Sequence, residues 1–222
     1  MFRVFIWDLD NTVVRSSKLL WGAFQWVAER FAQKSMTPRE IVSLYGPPED
    51  VVIENIVGKE KKEEALRAFY EFYEREHDNL LTPFPEVLSI IAYLRKKKVQ
   101  QALFTAKGRK SALITLERLE IGNLFDLVLC GDEVERAKPY PDGVLTVLTY
   151  FQVAPWETLY VGDSPLDAQA AHGAGVSFAL ALWDSFHRPE AERISAEYVF
   201  ATPQEMLLWV KSLYGGDESA AL

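Results

Sequence analysis

Phe2-Arg-Val-Phe-Ile-Trp-Asp-Leu-Asp-Asn-Thr12 sets five apolar or aromatic residues among the six that precede Asp8, then two carboxylates two positions apart. The run is too short for an ordinary helix and reads as a buried strand of the parallel type. Alternation would put Asp8 and Asp10 on one side of a continuing strand, but Asn11 marks a turn at this point. Either way two acids are held a few ångströms apart at the mouth of an apolar strand. That placement is costly unless a cation or a shared proton relieves it. The plain alternative is that Asp8 and Asp10 only cap a loop, and the rest of the chain decides between the two.

Behind Thr12 the period changes. Leu20, Phe24, Val27 and Phe31 recur at helical spacing, with Trp21 and Trp26 widening the stripe. Thr37-Pro38 is an N-cap with a first-turn proline, opening a short helix through Leu44 that Gly46-Pro47-Pro48 breaks. Another short helix is expected over Asp50 to Val57, and a longer one from Lys59 to about Asn79 with Leu66, Phe69, Phe72 and Tyr73 on one face. Residues 16–80 therefore read as all-helical.

Past Pro83 and Pro85 the pattern becomes strand–helix alternation. Helices over Glu86–Lys97, Arg109–Leu119, Asp142–Phe151 and Pro165–Gly173 each lead to a strand, at Gln101–Phe104, Leu127–Cys130, Thr158–Val161 and Val176–Leu180. A weaker strand at Tyr198–Phe200 and a helix from Pro203 to Leu213 follow, and the small, acidic tail from Gly215 is expected to fray. The alternation predicts an α/β fold, an open, doubly wound parallel sheet. Residues 1–15 and 81–222 form its core, and a helical insertion of about 65 residues follows its first strand. In such sheets ligands bind outside the carboxyl ends of the strands, at the topological switch point. A helical lid there suits a reaction that must exclude water.

The totals narrow the partners. With 222 residues the chain can bury a substantial core. A net charge of -8 argues against nucleic acid or an anionic membrane as the main partner. The single cysteine, Cys130, follows an apolar stretch, reads as a core residue, and is compatible with a reducing compartment. There is no apolar run long enough for a membrane helix and no signal-like N-terminus, so a soluble, cytoplasmic protein is expected, monomer or homodimer.

The other strand ends carry chemistry of their own. Thr105-Ala106-Lys107-Gly108 offers a hydroxyl, free backbone amides and a helix N-terminus, a combination that favours an anion such as phosphate. Its alternative is that Thr105 caps the helix. In Ala137-Lys138-Pro139-Tyr140-Pro141, two prolines stiffen the backbone around one lysine, which is either a rigidly held ammonium or an ordinary surface residue. In Gly162-Asp-Ser-Pro-Leu-Asp167, Ser164, Pro165 and Asp167 make a capping box that needs no function. Asp163 lies outside the box, and Gly162 lets a neighbour approach closely. Three carboxylates in an oxygen-rich setting suit Mg²⁺.

Taken in order, Asp8-Leu-Asp-Asn-Thr12, Thr105, Lys138 in Lys-Pro-Tyr-Pro-Asp, and Gly162-Asp-Ser-Pro-Leu-Asp167 resemble the four motifs of the haloacid dehalogenase (HAD) superfamily. The likeness is to its phosphoglycolate-phosphatase-like hydrolases, which carry a Rossmann-like core and a helical C1-type cap, and it covers residues 1–182. It implies that Asp8 is the nucleophile that becomes an aspartyl phosphate and that Asp10 is the general acid/base. Mutual repulsion among such carboxylates lets one hold a proton near neutrality. By the same resemblance Mg²⁺ is held by the Asp8 carboxylate, the Asp10 backbone carbonyl and Asp163, with Asp167 behind them. Thr105 and Ala106 bind the phosphoryl oxygens and Lys138 neutralises charge. The chain departs from the pattern at Asn11, usually glycine, at Ala106, often asparagine, and at Asp184 after Trp183, often glycine. Asparagine tolerates left-handed backbone, so the turn is expected to survive.

The expected activity is Mg²⁺-dependent hydrolysis of a small phosphorylated metabolite. A phosphomutase would use the same residues. Dehalogenation fits less well, because it does not require the acid that Asp10 supplies. A signalling receiver shares the acids, threonine and lysine, but it has no helical insertion and is shorter. A non-catalytic binding protein would not need the full set of acids. Specificity is expected from the cap, through Tyr45–Pro48 and aromatics of its first helix. The three histidines read as structural or surface residues.

Overall fold

Strand β1 (Val4–Trp7) lies at the centre of a six-stranded, fully parallel sheet in the computed structural model, which describes residues 1–185 and 188–215. Its neighbours are β4 (Gln100–Phe104) and β6 (Thr158–Gly162). Beyond them come β5 (Leu127–Leu129) on one side and β7 (Ser177–Ala181) with β8 (Tyr198–Phe200) on the other, giving the order β5-β4-β1-β6-β7-β8. The chain first winds outward through β4 and β5, then crosses back past β1, so the switch point falls at the carboxyl ends of β1, β4 and β6.

Alternation along β1 feeds two cores. Phe5 and Trp7 pack with α5 (Pro85–Lys96), α6 (Arg109–Arg118) and α9 (Pro203–Tyr214). Val4 and Ile6 pack with α7 (Asp142–Phe151) and α8 (Pro165–Gly173). All four residues of β1 are fully buried, as a central parallel strand covered on both faces requires. The one polar handle among them, the Trp7 indole N–H, donates to Gln101 Oε1 at 2.8 Å.

Between β1 and α5 the chain makes four helices: α1 (Ser17–Ala32), α2 (Pro38–Val42), α3 (Glu49–Val57) and α4 (Lys62–Leu80). The predicted Thr37 cap is present as a full capping box with Glu40. Helices α1 and α4 meet through Phe24 and Phe69, whose ring centroids lie 5.1 Å apart. Both connections to this helical layer pass through an antiparallel ribbon, β2 (Val14–Arg15) with β3 (Thr82–Pro83). Two residues per strand, one of them proline, leave no period in the sequence, and the ribbon was not expected. The tail at 216–222, expected to fray, lies outside the described residues, as does His187.

Candidate active site

The turn after β1 forms as the sequence implies. Asn11 takes a left-handed conformation (φ 58°), its N–H donates to Val14 O at 2.7 Å, and Ser17 Oγ donates to its side-chain oxygen at 2.6 Å. Asp8 is tied to the neighbouring strand by its N–H, which donates to Val161 O at 2.9 Å. Asp8 and Asp10 do not act as loop caps. Both line a cavity of about 310 Å³ together with Thr105, Ala106, Lys138, Asp163 and Asp167, so every sequence-derived site residue reaches one space.

Lys138 is buried and holds two acids, donating from Nζ to Asp8 Oδ1 at 2.6 Å and to Asp167 Oδ1 at 2.7 Å. The surface-lysine alternative is thereby excluded. Burial alone would lower the Lys138 pKa, but the carboxylates of Asp167 and Asp8 outweigh it and hold it above its ordinary value. Asp167 is fully engaged. Tyr160 OH also donates to its Oδ1, at 3.0 Å, and Ser164 Oγ and N–H donate to its Oδ2, at 2.6 and 3.1 Å. The capping box is therefore real, and its acid does a second job. Gly162 is required here, because a Cβ on it would come within 2.6 Å of the Asp167 carboxyl carbon.

Asp8, Asp163 and Asp167 each place a carboxylate oxygen within 4.8 Å of the others, all three residues being buried. Burial, followed by the repulsion of Asp167 and Asp10, pushes Asp8 up to about 7 against the opposing pull of Lys138. Asp163 stands well above its ordinary value, from burial and then from Asp167 and Asp8. Three buried carboxylates thus face one ammonium, an excess of negative charge that a divalent cation would balance. The donor set fits a hard, oxygen-seeking ion, with Asp8 and Asp163 as the acids that retain free oxygens.

Thr105 is buried at the end of β4, but it does not cap α6. The N-cap of that helix is Gly108, and Thr105 Oγ1 accepts from Lys107 N at 3.2 Å, shaping the loop.

Two residues outside the sequence-derived set join the site. Lys107 is buried, its Nζ 3.3 Å from Asp10 Oδ2 and 3.6 Å from Glu49 Oε1, over the ring of Tyr73 at 4.9 Å. Burial opposes its charge, yet Asp10, Tyr73 and Glu49 keep its pKa above the ordinary lysine value. The other oxygen of Asp10, Oδ1, is buried with no hydrogen-bond partner. Glu49, the first residue of α3, is buried and accepts from Gly108 N at 2.6 Å and from Ser111 Oγ. A lysine between a strand end and a helix N-terminus was a usable signal for Lys107. Nothing local marks Glu49, whose partners lie some sixty residues away.

On the cap side the cavity is walled by Leu20, Phe24, Val42, Tyr45, Pro47 and Val52. The expected loop and first helix therefore do face the site, through Tyr45 and Phe24, whereas Trp26 packs against Phe72 and its ring lies beneath Arg30 and Arg75. Two of the histidines are accounted for structurally: His77 is buried beside Asp78, and His172 pairs with Glu197. Among the described residues, no helix is long and apolar enough to cross a membrane.

Comparison with known proteins places this geometry. The family described as "Haloacid dehalogenase-like hydrolase" matches residues 5–181. A protein of Oceanobacillus iheyensis named "Pyrophosphatase PpaX" is 28% identical over 181 residues, covering 82% of this chain and 84% of that protein. The protein of that name from Bacillus mycoides is 24% identical, covering 91% and 94%. The crystal structure of a "predicted phosphoglycolate phosphatase" from Haemophilus somnus superposes with a TM-score of 0.84 at 21% identity, covering 94% of this chain and 97% of that one, and shares its fold.

Proposed function

The chain belongs to the haloacid dehalogenase-like hydrolases, and we propose that it is a Mg²⁺-dependent phosphatase that hydrolyses a small phosphomonoester through an aspartyl phosphate on Asp8. The observation that carries this reading is the gathering of Asp8, Asp163, Asp167 and Lys138, all buried, beside Asp10 and Thr105 on one cavity. Residues 1–15 and 81–222 would be the phosphotransfer core and 16–80 the cap that closes it.

In the first step a carboxylate oxygen of Asp8 attacks phosphorus and the ester P–O bond breaks. The Asp10 carboxyl gives its proton to the departing oxygen. In the second, Asp10 takes a proton from water, which attacks the same phosphorus. The Asp8–phosphate bond then breaks, returning the carboxylate and releasing inorganic phosphate. Asp10 Oδ1 suits this work, since it is buried on the cavity and engaged by no other group. Lys138 holds Asp8 in line and offsets charge, while Thr105 and the Ala106 amide receive phosphoryl oxygens. Bound Mg²⁺, held by Asp8, the Asp10 carbonyl and Asp163 with Asp167 behind them, would supply charge neutralisation for the transferring group.

The test is release of inorganic phosphate from an aryl phosphate with Mg²⁺, with chelator, and with Asp8→Asn. Turnover that needs the metal and disappears in Asp8→Asn is expected. Metal-independent turnover, or activity surviving in Asp8→Asn, would overturn the route. A phosphomutase would share these residues, and product analysis separates it by the appearance of an isomeric phosphate ester in place of free phosphate.

A further inference from the structure

The wall of the cavity opposite the phosphoryl chemistry is unusual in its charge. Its cap residues are apolar or aromatic apart from Glu49. The only cations among the described lining residues are Lys107 and Lys138. Each already lies between two carboxylates: Lys138 between Asp8 and Asp167, Lys107 between Asp10 and Glu49.

Glu49 also consumes what would otherwise be an anion receptor. The Gly108 N–H and the Ser111 hydroxyl at the start of α6, with Lys107 beside them, are the donors that a second anionic group of a substrate would seek, the Arg109 N–H being already taken by Asp132. Gly108 and Ser111 donate to the Glu49 carboxylate, which is 4% exposed, and Lys107 lies 3.6 Å from it, between it and Asp10. A Cβ on Gly108 would come within 2.7 Å of Glu49 Oε2, so the loop is shaped closely around that carboxylate.

Resting on the phosphatase reading, we propose that Glu49 is a specificity-determining residue. It fills the anion receptor beside the cavity and restricts the site to phosphomonoesters whose leaving group is small, uncharged and largely apolar. A metal ion and the transferring phosphoryl group roughly cancel each other's charge. A further carboxylate or phosphate on the leaving group then meets apolar side chains, one uncharged hydroxyl (Tyr45) and one buried carboxylate, with no cation left to receive it. Rejection by an unpaired or repelled charge is a stronger filter than the loss of a contact. Leu20, Phe24, Val42 and Val52 would instead cover an alkyl or aryl group. This preference departs from the two compared proteins named as pyrophosphatases, since pyrophosphate presents a second phosphate as its leaving group.

The experiment compares kcat/KM, with Mg²⁺ and the full chain, for n-butyl phosphate, its near-isostere 3-phosphonooxypropanoate, and inorganic pyrophosphate. The neutral ester is expected to exceed both anionic substrates by at least about tenfold. Glu49→Gln is expected to narrow that ratio severalfold; because the readout is a ratio of substrates, a general loss of activity in the variant cancels. The wild-type ratio alone tests the preference should Glu49→Gln fail to fold. Equal or better turnover of pyrophosphate or the carboxylate ester by the wild type would overturn the proposal and leave the phosphatase reading intact. An unchanged ratio in an active Glu49→Gln would overturn the role of Glu49. Failure of all three substrates together with aryl phosphate, or turnover that survives in Asp8→Asn, would instead bring down the phosphatase reading itself.

Discussion

Replacing Lys138 by methionine keeps the aliphatic stem and removes the ammonium that lies 2.6 Å from Asp8 and 2.7 Å from Asp167. Removing one partner of a buried pair costs roughly 3–5 kcal/mol, because the carboxylates left behind remain desolvated. For a chain of this size that corresponds to a fall in Tm of roughly 6–20 °C. The loss should depend on pH in a defined direction. Lys138 is held above its ordinary value, so in the wild type its ammonium stays charged throughout the neutral range. In the variant Asp8 keeps the burial and the repulsion of Asp167 and Asp10 that already push it up to about 7, and it loses the lysine that opposed them. Its folded pKa then rises further. An acid whose folded pKa exceeds its unfolded value costs stability above the folded pKa and nothing below the unfolded one. The deficit of Lys138→Met should therefore be largest at pH 8 and shrink on acidification toward pH 5, as Asp8 takes up a proton. Urea unfolding of both proteins at pH 5 and pH 8, in chelator, measures it. A deficit below about 1 kcal/mol, or one equal at the two pH values, would refute the picture of Lys138 as the counter-charge of a buried acid cluster.

The same cluster predicts proton–metal competition: with Asp8 raised to about 7 and Asp163 raised as well, Mg²⁺ must displace protons, so its affinity should fall steeply below neutrality. Calorimetric titration at pH 6, 7 and 8 checks this, and an affinity flat across that range counts against it. Gly131→Ala would bring a Cβ within 2.2 Å of the Ala106 carbonyl oxygen, a backbone atom of the proposed phosphate-binding loop. A cost of about 1–3 kcal/mol in stability and a reduced kcat are expected, whereas Gly122→Ala, whose nearest neighbour is 3.8 Å away, should change neither in thermal unfolding and phosphate-release assays.

The strand-end acids were legible because a parallel sheet does the assembling. Every strand of such a sheet ends on the same edge, so a reader who recognises buried apolar runs at Val4–Trp7, Gln100–Phe104 and Thr158–Gly162 can bring Asp8, Thr105 and Asp163 together without any tertiary information. Helix starts were equally local: Thr37, Ser164 and Thr202 cap with their own side chains, each ahead of a first-turn proline. What the sequence hid was pairing at a distance. The β2–β3 ribbon joins residues some seventy positions apart with too few residues to show a period. Thr105 was ambiguous because a hydroxyl before a helix predicts a cap equally well, and only the backbone shows that Gly108 occupies that position.

Glu49 and Lys107 carry that argument into the chemistry. Asp8 and Asp10 are separated by one residue and look alike in the sequence, yet the fold gives each its own lysine: Lys138 for Asp8 and Lys107 for Asp10. The two lysines differ in what lies behind them. Lys138 is backed by Asp167 and the rings of Phe104 and Tyr160, all core residues. Lys107 is backed by Glu49 of α3 and Tyr73 of α4, so its surroundings come from the helical layer inserted after β1. The charged and aromatic partners behind the lysine of Asp8, the proposed nucleophile, thus come from the core, whereas those behind the lysine of the proposed acid come from the inserted helices. Enzymes assign different duties to paired carboxylates through such differences of environment. Here the division would make proton transfer by Asp10 depend on the helical layer being seated over the site more directly than the pairing of Asp8 with Lys138 does.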